Sequence, residues 1–245
     1  MYWSGWLSKS QVIQFSECPY AWYLNKIKRI KPKPVEALEN GKAVHEALDF
    51  LYSKLDKDAF DSKHEIYECL KTHQDYERFK TQFDNFPEIM EKFTLKRPLF
   101  RELAISDQST KLRAIIDRID RIQNELYVVE YKWSKKWPWS EFELALYSVL
   151  VQKRWGNPID KGAIVYLTDG DVKILDITPE MKKDAANLVI QTRNEIRKRL
   201  DKLDKVDTWV KTAEPSTIEK IECSFEKCPG ERCKNCQYRE YCGID

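Results

Sequence analysis

Two neighbouring segments near the middle of the sequence, LRAIIDRIDRI and ELYVVEYKW, mix charged residues with β-branched and aromatic ones. Gln123 and Asn124 lie between them and predict a tight turn, so that the numbers of paired residues sum to 247. Asp117 then lies opposite Glu130, and Lys132 shares their face because side chains alternate along a strand. Facing carboxylates repel each other unless a cation or a proton lies between them, and a hard divalent ion satisfies both. The hairpin therefore predicts a metal site at which Lys132 orients a water molecule or stabilises developing negative charge.

The same alternation places Asp120 on the opposite face of the hairpin, which favours Asp117 as the metal ligand. Ile115, Ile119 and Val128 are expected to lie beneath the charged groups as an aliphatic bed. A surface hairpin with a cross-strand ion pair would show the same pattern of residues. The choice between these interpretations depends on the segments that surround the hairpin.

Those segments predict an α/β fold with a mixed central sheet flanked by helices. A capping box at Ser8 opens a helix over 9–26, and a second helix with an apolar stripe is expected over 34–56. The strands RELAISD, GAIVYLT and VKILDI accompany the hairpin, with one helix ending near Gly156 and another over 179–203. We expect a single domain over 1–245, with N-terminal helices (1–56), a helical insertion (57–98), a core (99–204) and a cysteine-rich tail (205–245).

The bulk composition is that of a packed globular protein. Of its 245 residues, 42% are hydrophobic and 33% are charged, which excludes a disordered chain. The net charge of +2 excludes a histone-like basic protein but still allows a basic groove for nucleic acid. The sequence contains no apolar stretch of about eighteen residues and no N-terminal signal pattern. We therefore expect a cytoplasmic protein without a membrane span.

Three cysteines in the segment CKNCQYREYC have the spacing of metal ligands. They are Cys233, Cys236 and Cys242. A zinc ion or an iron–sulfur cluster normally takes four such ligands, so one is missing. Cys223 or Cys228 would complete a local zinc site, whereas Cys18 would connect the tail to the start of the chain. A reducing compartment favours metal binding over disulfides, although a Cys223–Cys228 disulfide would suit a hyperthermophile.

Several motifs together are similar to those of the PD-(D/E)XK nucleases. The run Glu130-Tyr131-Lys132 begins thirteen positions after Asp117, as in the catalytic motif of that superfamily. Four segments, SQVIQFSECPYAWYL, GKAVHEAL, AIIDRID and CKNCQYREYC, resemble motifs of its RecB-type iron–sulfur exonuclease branch. That branch includes the fourth CRISPR-associated (Cas) protein family, whose members trim DNA ends during spacer acquisition. The resemblance covers most of the chain and implies a restriction-endonuclease-like core.

The resemblance also implies roles for individual residues. The metal ligands that it implies are His45, Asp117, Glu130 and the main-chain carbonyl of Tyr131. Imidazole and carboxylate ligands suit Mn²⁺ or Mg²⁺ as the cofactor. Lys132 takes the place of the catalytic lysine, and Tyr147 matches the tyrosine of a Q-x-x-x-Y motif on the following helix. Glu143 stands where that motif has glutamine, so the sequence departs from the branch at this catalytic position.

For the cysteines, the resemblance implies a [4Fe–4S] cluster, with zinc as the alternative. The ligands of the cluster would be Cys18, Cys233, Cys236 and Cys242, which leaves Cys69, Cys223 and Cys228 without a role. Basic and aromatic residues lie next to the predicted site, at Lys26, Lys28, Arg29, Lys135, Lys136 and Trp137. Basic groups contact phosphates and aromatic rings stack on unpaired bases, so these residues predict DNA contacts. The expected partner is single-stranded DNA or DNA with free ends, with an integrase or helicase as a further partner chain.

Two other functions are compatible with the same residues. One is a DNA-binding or scaffold protein that has kept the fold and lost the chemistry, for which Glu143 is the local indication. The other is a stand-alone repair or viral nuclease of the same branch. Cleavage assays distinguish the first from an exonuclease. Neighbouring genes distinguish the second from a nuclease that acts in CRISPR spacer acquisition.

Overall fold

The computed structural model describes residues 3–33, 36–54, 63–92, 98–133, 137–201 and 224–243. The chain divides into two compact units. The first consists of Met1–Val35, Asp107–Arg113 and Ala186–Asp245, and the second of Glu36–Ser106 and Ala114–Ala185. The acidic residues of the predicted metal site belong to the second unit, and the cysteines of the tail belong to the first.

Within the described residues, five helices follow the first short strand, and three strands, a helix, two strands and further helices come after them. The helices are α1 (Lys9–Glu17), α2 (Pro19–Lys26), α3 (Glu36–Lys54), α4 (Lys63–Lys71), α5 (Lys80–Lys92), α6 (Ser140–Trp155), α7 (Pro179–Asp201) and α8 (Arg239–Cys242), with a 3₁₀ turn at Glu231–Asn235. The strands are β1 (Leu7–Ser8), β2 (Phe100–Asp107), β3 (Leu112–Ile122), β4 (Glu125–Lys132), β5 (Lys161–Tyr166) and β6 (Asp171–Asp176). Of the helices in the described ranges, none has the length and apolar character needed to cross a membrane.

The strands form one mixed sheet in the order β1-β3-β4-β5-β6, with β2 paired to β3. β3 and β4 are antiparallel, β4 and β5 are parallel, and β5 and β6 are antiparallel again. β1 was not predicted, and it adds two residues that pair in parallel with Leu112 and Arg113 at the start of β3. The mixed sheet and its helices confirm the predicted α/β class and agree with a restriction-endonuclease-like core.

The turn between β3 and β4 has the geometry that the sequence predicts. Gln123 and Asn124 both have positive φ angles, 49° and 71°, as the two central residues of a type I′ turn require. Ile119 pairs with Val128, so the paired numbers sum to 247 along the hairpin. The predicted register is therefore confirmed.

One face of β4 packs against the helices of the second unit. Its odd-numbered residues Tyr127, Val129 and Tyr131 belong to a hydrophobic core that also contains residues of α3, α4 and α5. The predicted apolar stripe of α3 contributes to this core through Val44 and Leu48, both of them buried. The helical insertion thus supplies part of the main core of the unit.

The other face of β4 is covered by α6. Gly162 of β5 pairs with Val128, and a Cβ atom added to Gly162 would lie 2.9 Å from Cδ1 of Leu144 in α6. The nearest atoms are the ends of the Leu144 and Ile177 side chains, so a larger residue at this position would force these side chains to move. Glu130 and Lys132, the even-numbered residues of β4, lie on this same face.

The predicted continuous helix over 9–26 is wrong at one residue. Cys18 has φ −159° and ψ 103° and separates α1 from α2. Pro19 explains the break, because proline disfavours the helical conformation in the residue before it. At the start of α1, Ser8 accepts a hydrogen bond from the main-chain N–H of Gln11 at 3.2 Å, as predicted. Cys18 therefore lies at a junction between two helices.

The other predicted helices agree with the structure. Thr178 Oγ1 accepts a hydrogen bond from the N–H of Met181 at 3.2 Å and caps α7. Gly156 ends α6 with φ 76°. The predicted helix ends at 34–35, 55–56 and 202–203, and parts of the predicted insertion at 57–62 and 93–97, lie outside the described residues.

The first unit joins residues from the two ends of the chain. The ring of Phe225 stacks against Trp22 at 5.9 Å and against Tyr23 at 5.1 Å between ring centroids. The N–H of Tyr20 donates to the carbonyl of Glu226 at 3.2 Å. An aromatic core and main-chain bonds therefore attach α2 to the C-terminal tail.

A buried arginine lies in the second unit, on the face of β3 opposite to Asp117. The guanidinium of Arg118 bonds to Asp120 through two nitrogens, with Nη2 donating to Oδ1 at 2.8 Å. Tyr52 and Tyr131 also accept hydrogen bonds from its Nη1, and both members of the ion pair are almost fully buried. Removing one partner of such a pair leaves a desolvated charge without compensation.

We expect Asp120→Ala to lower the free energy of unfolding by about 3 to 5 kcal/mol, because it strands the Arg118 guanidinium in the core. Urea denaturation followed by circular dichroism measures the change. Arg121→Ala is the matched control, since Arg121 is exposed one residue further along β3 and should cost less than about 0.5 kcal/mol. Equal losses in the two variants would contradict this role of the ion pair.

Candidate active site

Asp117 and Glu130 lie on adjacent antiparallel strands and are both buried, with 7% and 2% of their surface exposed. The N–H of Tyr131 donates to Oδ2 of Asp117 at 2.9 Å, which fixes the carboxylate against β4. Ile119 and Val128 are buried as expected, but Ile115 is 55% exposed, so the predicted aliphatic bed is wrong at this residue. Asp117 therefore lies where the face of β3 passes from exposed to buried.

Lys132 lies between two carboxylates. Its Nζ is 2.6 Å from Oε1 of Glu130 and 2.5 Å from Oε2 of Glu143, and all three side chains are mostly buried. Trp137 Nε1 also donates to Oε2 of Glu143, at 3.2 Å. Glu143 and Trp137, predicted as a catalytic and a DNA-contacting residue, thus belong to one hydrogen-bonded group with Lys132. The lysine is held in one position, which a residue that acts on a phosphate requires.

Tyr147 completes the support of Glu130. Its hydroxyl donates to Oε2 of Glu130 at 2.8 Å, so the two oxygens of this carboxylate contact a phenol and an ammonium group. Burial, followed by the nearby charges of Glu130, Asp117 and Glu143, raises the pKa of Tyr147 well above its usual range. The phenol therefore stays protonated and acts as a donor. Glu143 and Tyr147 reach the site together because residues four apart share one face of a helix.

His45 of α3 lies beside Asp117. Its Nδ1 is 3.8 Å from Oδ1 of Asp117 and 3.7 Å from Oε1 of Glu102. Burial alone would lower the pKa of His45, but the hydrogen bond to Glu102 and the charges of Asp117 and Glu130 raise it overall. The imidazole thus lies in a strongly negative environment.

Glu102 of β2 is a site residue that the sequence did not reveal. His45, Glu102 and Asp117 each offer one ligand atom, and the three atoms lie within 4.8 Å of one another. This spacing fits a single divalent ion, since ligand atoms lie about 2.0 to 2.6 Å from such ions. A cavity of about 10 Å³, the volume that one water molecule needs, adjoins the same three residues. The donor set of imidazole and carboxylates suits Mn²⁺ or Mg²⁺.

The backbone at Glu102 shows why its position was hard to predict. Glu102 has a φ of 45°, in the left-handed region that residues with a side chain rarely adopt. The side-chain alternation of a regular strand is therefore interrupted at this residue. An acidic residue within the predicted strand RELAISD was the available signal, and no local pairing rule connects that strand to His45.

The cysteines of the first unit form a separate group. The described cysteines, which include Cys18, Cys228 and the three of the CKNCQYREYC segment, are free, half-buried thiols. Burial raises the pKa of Cys228, Cys236 and Cys242, and the nearby thiol of Cys18 raises each of them further. The structure thus brings Cys18 close to thiols of the tail. Cys228 also lies beside Cys18, whereas Cys223 lies outside the described residues and Cys69 belongs to the second unit.

Of the basic residues predicted to contact DNA, the structure describes Lys26, Lys28 and Arg29. Burial, with a contribution from the charge of Arg113, lowers the pKa of the half-buried Lys26 at the end of α2. Lys28 lies near the ring of Tyr23, with its Nζ 5.9 Å from the ring centroid. Arg29 is exposed and has a φ of 56°. Lys135 and Lys136 lie outside the described residues.

Comparisons with known proteins place the chain in a family. A comparison with curated proteins found no match. A solved structure, entitled "Crystal structure of SSO0001", aligns with 99% of this chain and 88% of its own at 11% identity, with a TM-score of 0.41. The family model for the PD-(D/E)XK nuclease superfamily matches residues 6–243, and this range includes the carboxylates, the lysine and the cysteines described above. The chain therefore belongs to the PD-(D/E)XK nuclease superfamily.

Proposed function

We propose that this protein is a metal-dependent DNA exonuclease of the RecB-type branch, with a [4Fe–4S] cluster in its first unit. Members of its superfamily are nucleases that use divalent metals such as Mg²⁺ or Mn²⁺. The observation that carries the proposal is the position of Lys132, whose ammonium group is bonded to Glu130 on a face shared with Asp117. RecB-type membership and exonuclease activity are supported by the motif resemblance.

The metal would be held by His45, Asp117 and Glu102. Glu102 is added because its carboxylate lies within 4.8 Å of the ligand atoms of the other two. Glu130 and the carbonyl of Tyr131 complete the ligand set that the sequence motifs imply. When bound, the ion supplies a Lewis acid that polarises the scissile phosphate. His45 would enter the site from α3, whereas the acids would enter it from the sheet.

Lys132 would act on the substrate as a fixed positive charge. Glu130 and Glu143 hold its ammonium group from two sides, and Tyr147 in turn fixes Glu130. A donor fixed in this way stabilises the negative charge that develops on the phosphate, without reorganising during the reaction. Glu143 therefore takes part in the proposed site, although it replaces the glutamine of the motif.

Lys132→Ala should lower the cleavage of DNA by at least about 100-fold, because it removes the fixed charge at the phosphate. The measurement is the degradation of end-labelled single-stranded DNA in Mn²⁺, resolved on a denaturing gel. Lys161→Ala is the matched control, since Lys161 pairs with Asp176 at an exposed position of the same sheet. Undiminished cleavage by Lys132→Ala would contradict the assignment.

A circular single strand in the same assay tests the exonuclease proposal, because it offers no end. It should persist while a linear strand of the same sequence is degraded. A wild-type protein that binds DNA but cleaves neither strand would instead favour the alternative of a catalytically inactive DNA-binding or scaffold protein.

Glu102→Gln should weaken the binding of Mn²⁺ at least about tenfold, because it removes one anionic ligand while keeping the shape of the side chain. Isothermal titration calorimetry with Mn²⁺ measures this affinity independently of cleavage. Glu125→Gln, at the exposed start of β4, is the control and should bind Mn²⁺ as the wild type does. Unchanged affinity in Glu102→Gln would exclude Glu102 from the metal site.

The cluster proposal rests on the cysteine spacing, the motif resemblance and the position of Cys18 next to the tail thiols. Protein purified without oxygen should contain four irons per chain and absorb in the visible range. Cys233→Ala should lose the iron and the colour, whereas Cys69→Ala, the control in α4, should keep both. Zinc without iron would contradict the cluster and leave the nuclease proposal standing. A loss of that zinc in Cys228→Ala would then identify a local zinc site.

The cellular role is proposed from the motif resemblance described above. It is the trimming of DNA ends in the cytoplasm for CRISPR spacer acquisition, together with integrase or helicase chains. A stand-alone repair or viral nuclease is the alternative. Genes for integrase subunits beside this one would favour the first role.

A further inference from the structure

We infer that a surface cavity beside the catalytic strand binds an unpaired nucleotide of single-stranded DNA, with the base on Trp133 and the phosphate on Arg78. We call this cavity the Trp133 pocket. Its walls include Asn40, Arg78, Phe79, Lys80, Gln82 and Trp133. The inference rests on the proposed function, because it extends the substrate contacts of the same site.

The pocket begins one residue beyond the catalytic lysine. Trp133 follows Lys132 directly, and consecutive Cα atoms are about 3.8 Å apart. The carbonyl of Trp133 accepts a hydrogen bond from the N–H of Thr168 at 3.1 Å, and that of Lys132 accepts one from Leu167 at 3.0 Å. The main chain that carries the indole is therefore fixed to the rest of the sheet. Trp133 packs against the core on the face of β4 opposite to Lys132, so a DNA strand held at Lys132 would reach this pocket around the end of β4.

The indole of Trp133 is positioned by its neighbours and still partly exposed. Its ring meets Phe79 edge to face, with 5.5 Å between the ring centroids and an angle of 80° between the ring planes. Phe79 is fully buried, whereas Trp133 is half-buried, so part of the indole surface faces the cavity. A rigid, partly open aromatic ring is the usual platform for an unpaired base, because every base offers a flat π-face.

Polar groups line the remainder of the pocket. Arg78 is exposed, and its Nη2 donates to Oδ1 of Asn40 at 2.8 Å while its guanidinium lies 4.9 Å from the centroid of the Phe79 ring. Lys80 adds a second cation, and Glu77 is an anionic residue in the same wall. The two cations against one anion favour a phosphate group. Because Arg78 and Trp133 line the same cavity, the arginine can contact the phosphate of a nucleotide whose base stacks on the indole.

The dimensions of the pocket favour one nucleotide over a duplex. The cavity has a volume of about 300 Å³, at the lower limit for a small-molecule site. Bases in a duplex are paired and stacked on each other, so they are not free to stack on a ring in the wall of such a cavity. We therefore expect the pocket to distinguish single-stranded from double-stranded DNA.

The test measures the binding of fluorescein-labelled oligothymidylate by anisotropy, in EDTA so that no cleavage intervenes. Trp133→Leu should weaken binding about tenfold, whereas Trp133→Phe should stay within about threefold of the wild type. Both variants keep an apolar group against Phe79, and thermal melting checks that they remain folded. Trp155→Leu is the control, because Trp155 is also exposed and stacked, at 5.0 Å from the ring of Phe100.

The phosphate contact is tested by salt dependence. Arg78→Ala should lower the slope of log affinity against log salt concentration by about one, whereas Arg121→Ala should leave the slope unchanged. With a blunt duplex of the same length, Trp133→Leu should bind as tightly as the wild type.

Equal oligothymidylate affinities for the wild type, Trp133→Leu and Trp133→Phe would overturn the inference. A loss of duplex binding as large as the loss of single-strand binding would also overturn it. Trp133-dependent binding without any cleavage would contradict the proposed function and support the pocket. Normal cleavage combined with Trp133-independent binding would contradict the pocket alone.

Discussion

The two-residue turn at Gln123 and Asn124 fixes the register of β3 against β4, and the arrangement of the acidic groups depends on that register. Side chains alternate along a strand, so a slip by one residue would move Asp117 to the opposite face of the sheet. It would then point to the face that Arg118 now occupies and no longer lie beside Glu130. The positive φ angles of both turn residues specify the turn type and therefore the pairing. A local feature of the backbone thus determines which charges meet.

The site places several charged groups in a buried environment, and the hydrogen bonds around them make this stable. An unpaired buried carboxylate would be strongly destabilising, because removal from water penalises the charged form. Here Glu130 contacts an ammonium and a phenol, Asp117 accepts a main-chain N–H, and Glu143 shares the ammonium of Lys132. The buried charges on the other face of the sheet are also paired, since Arg118 bonds to Asp120 there.

The local parts of the fold and site could be predicted from the sequence, and the non-local parts could not. The hairpin register followed from turn chemistry and alternation, and the apolar stripe of α3 followed from helical periodicity. The break at Cys18 was also readable from Pro19, but the continuous helical pattern on both sides concealed it. Glu102 reaches His45 through an irregular strand far from it in sequence, so no periodicity could indicate the contact. Ile115 follows the alternation correctly but is exposed, because alternation defines a face and not what covers it.

Gly162 has a consequence that extends beyond packing. It lies on β5 under α6, and the same helix carries Glu143 and Tyr147 to Lys132 and Glu130. A methyl group at this position would lie 2.9 Å from Cδ1 of Leu144, whose side chain would have to move. Leu144 follows Glu143 directly on α6, so a change at a glycine without any functional group is transmitted to the immediate neighbour of a site residue. The packing between helix and sheet is thus part of what holds the charged groups in place.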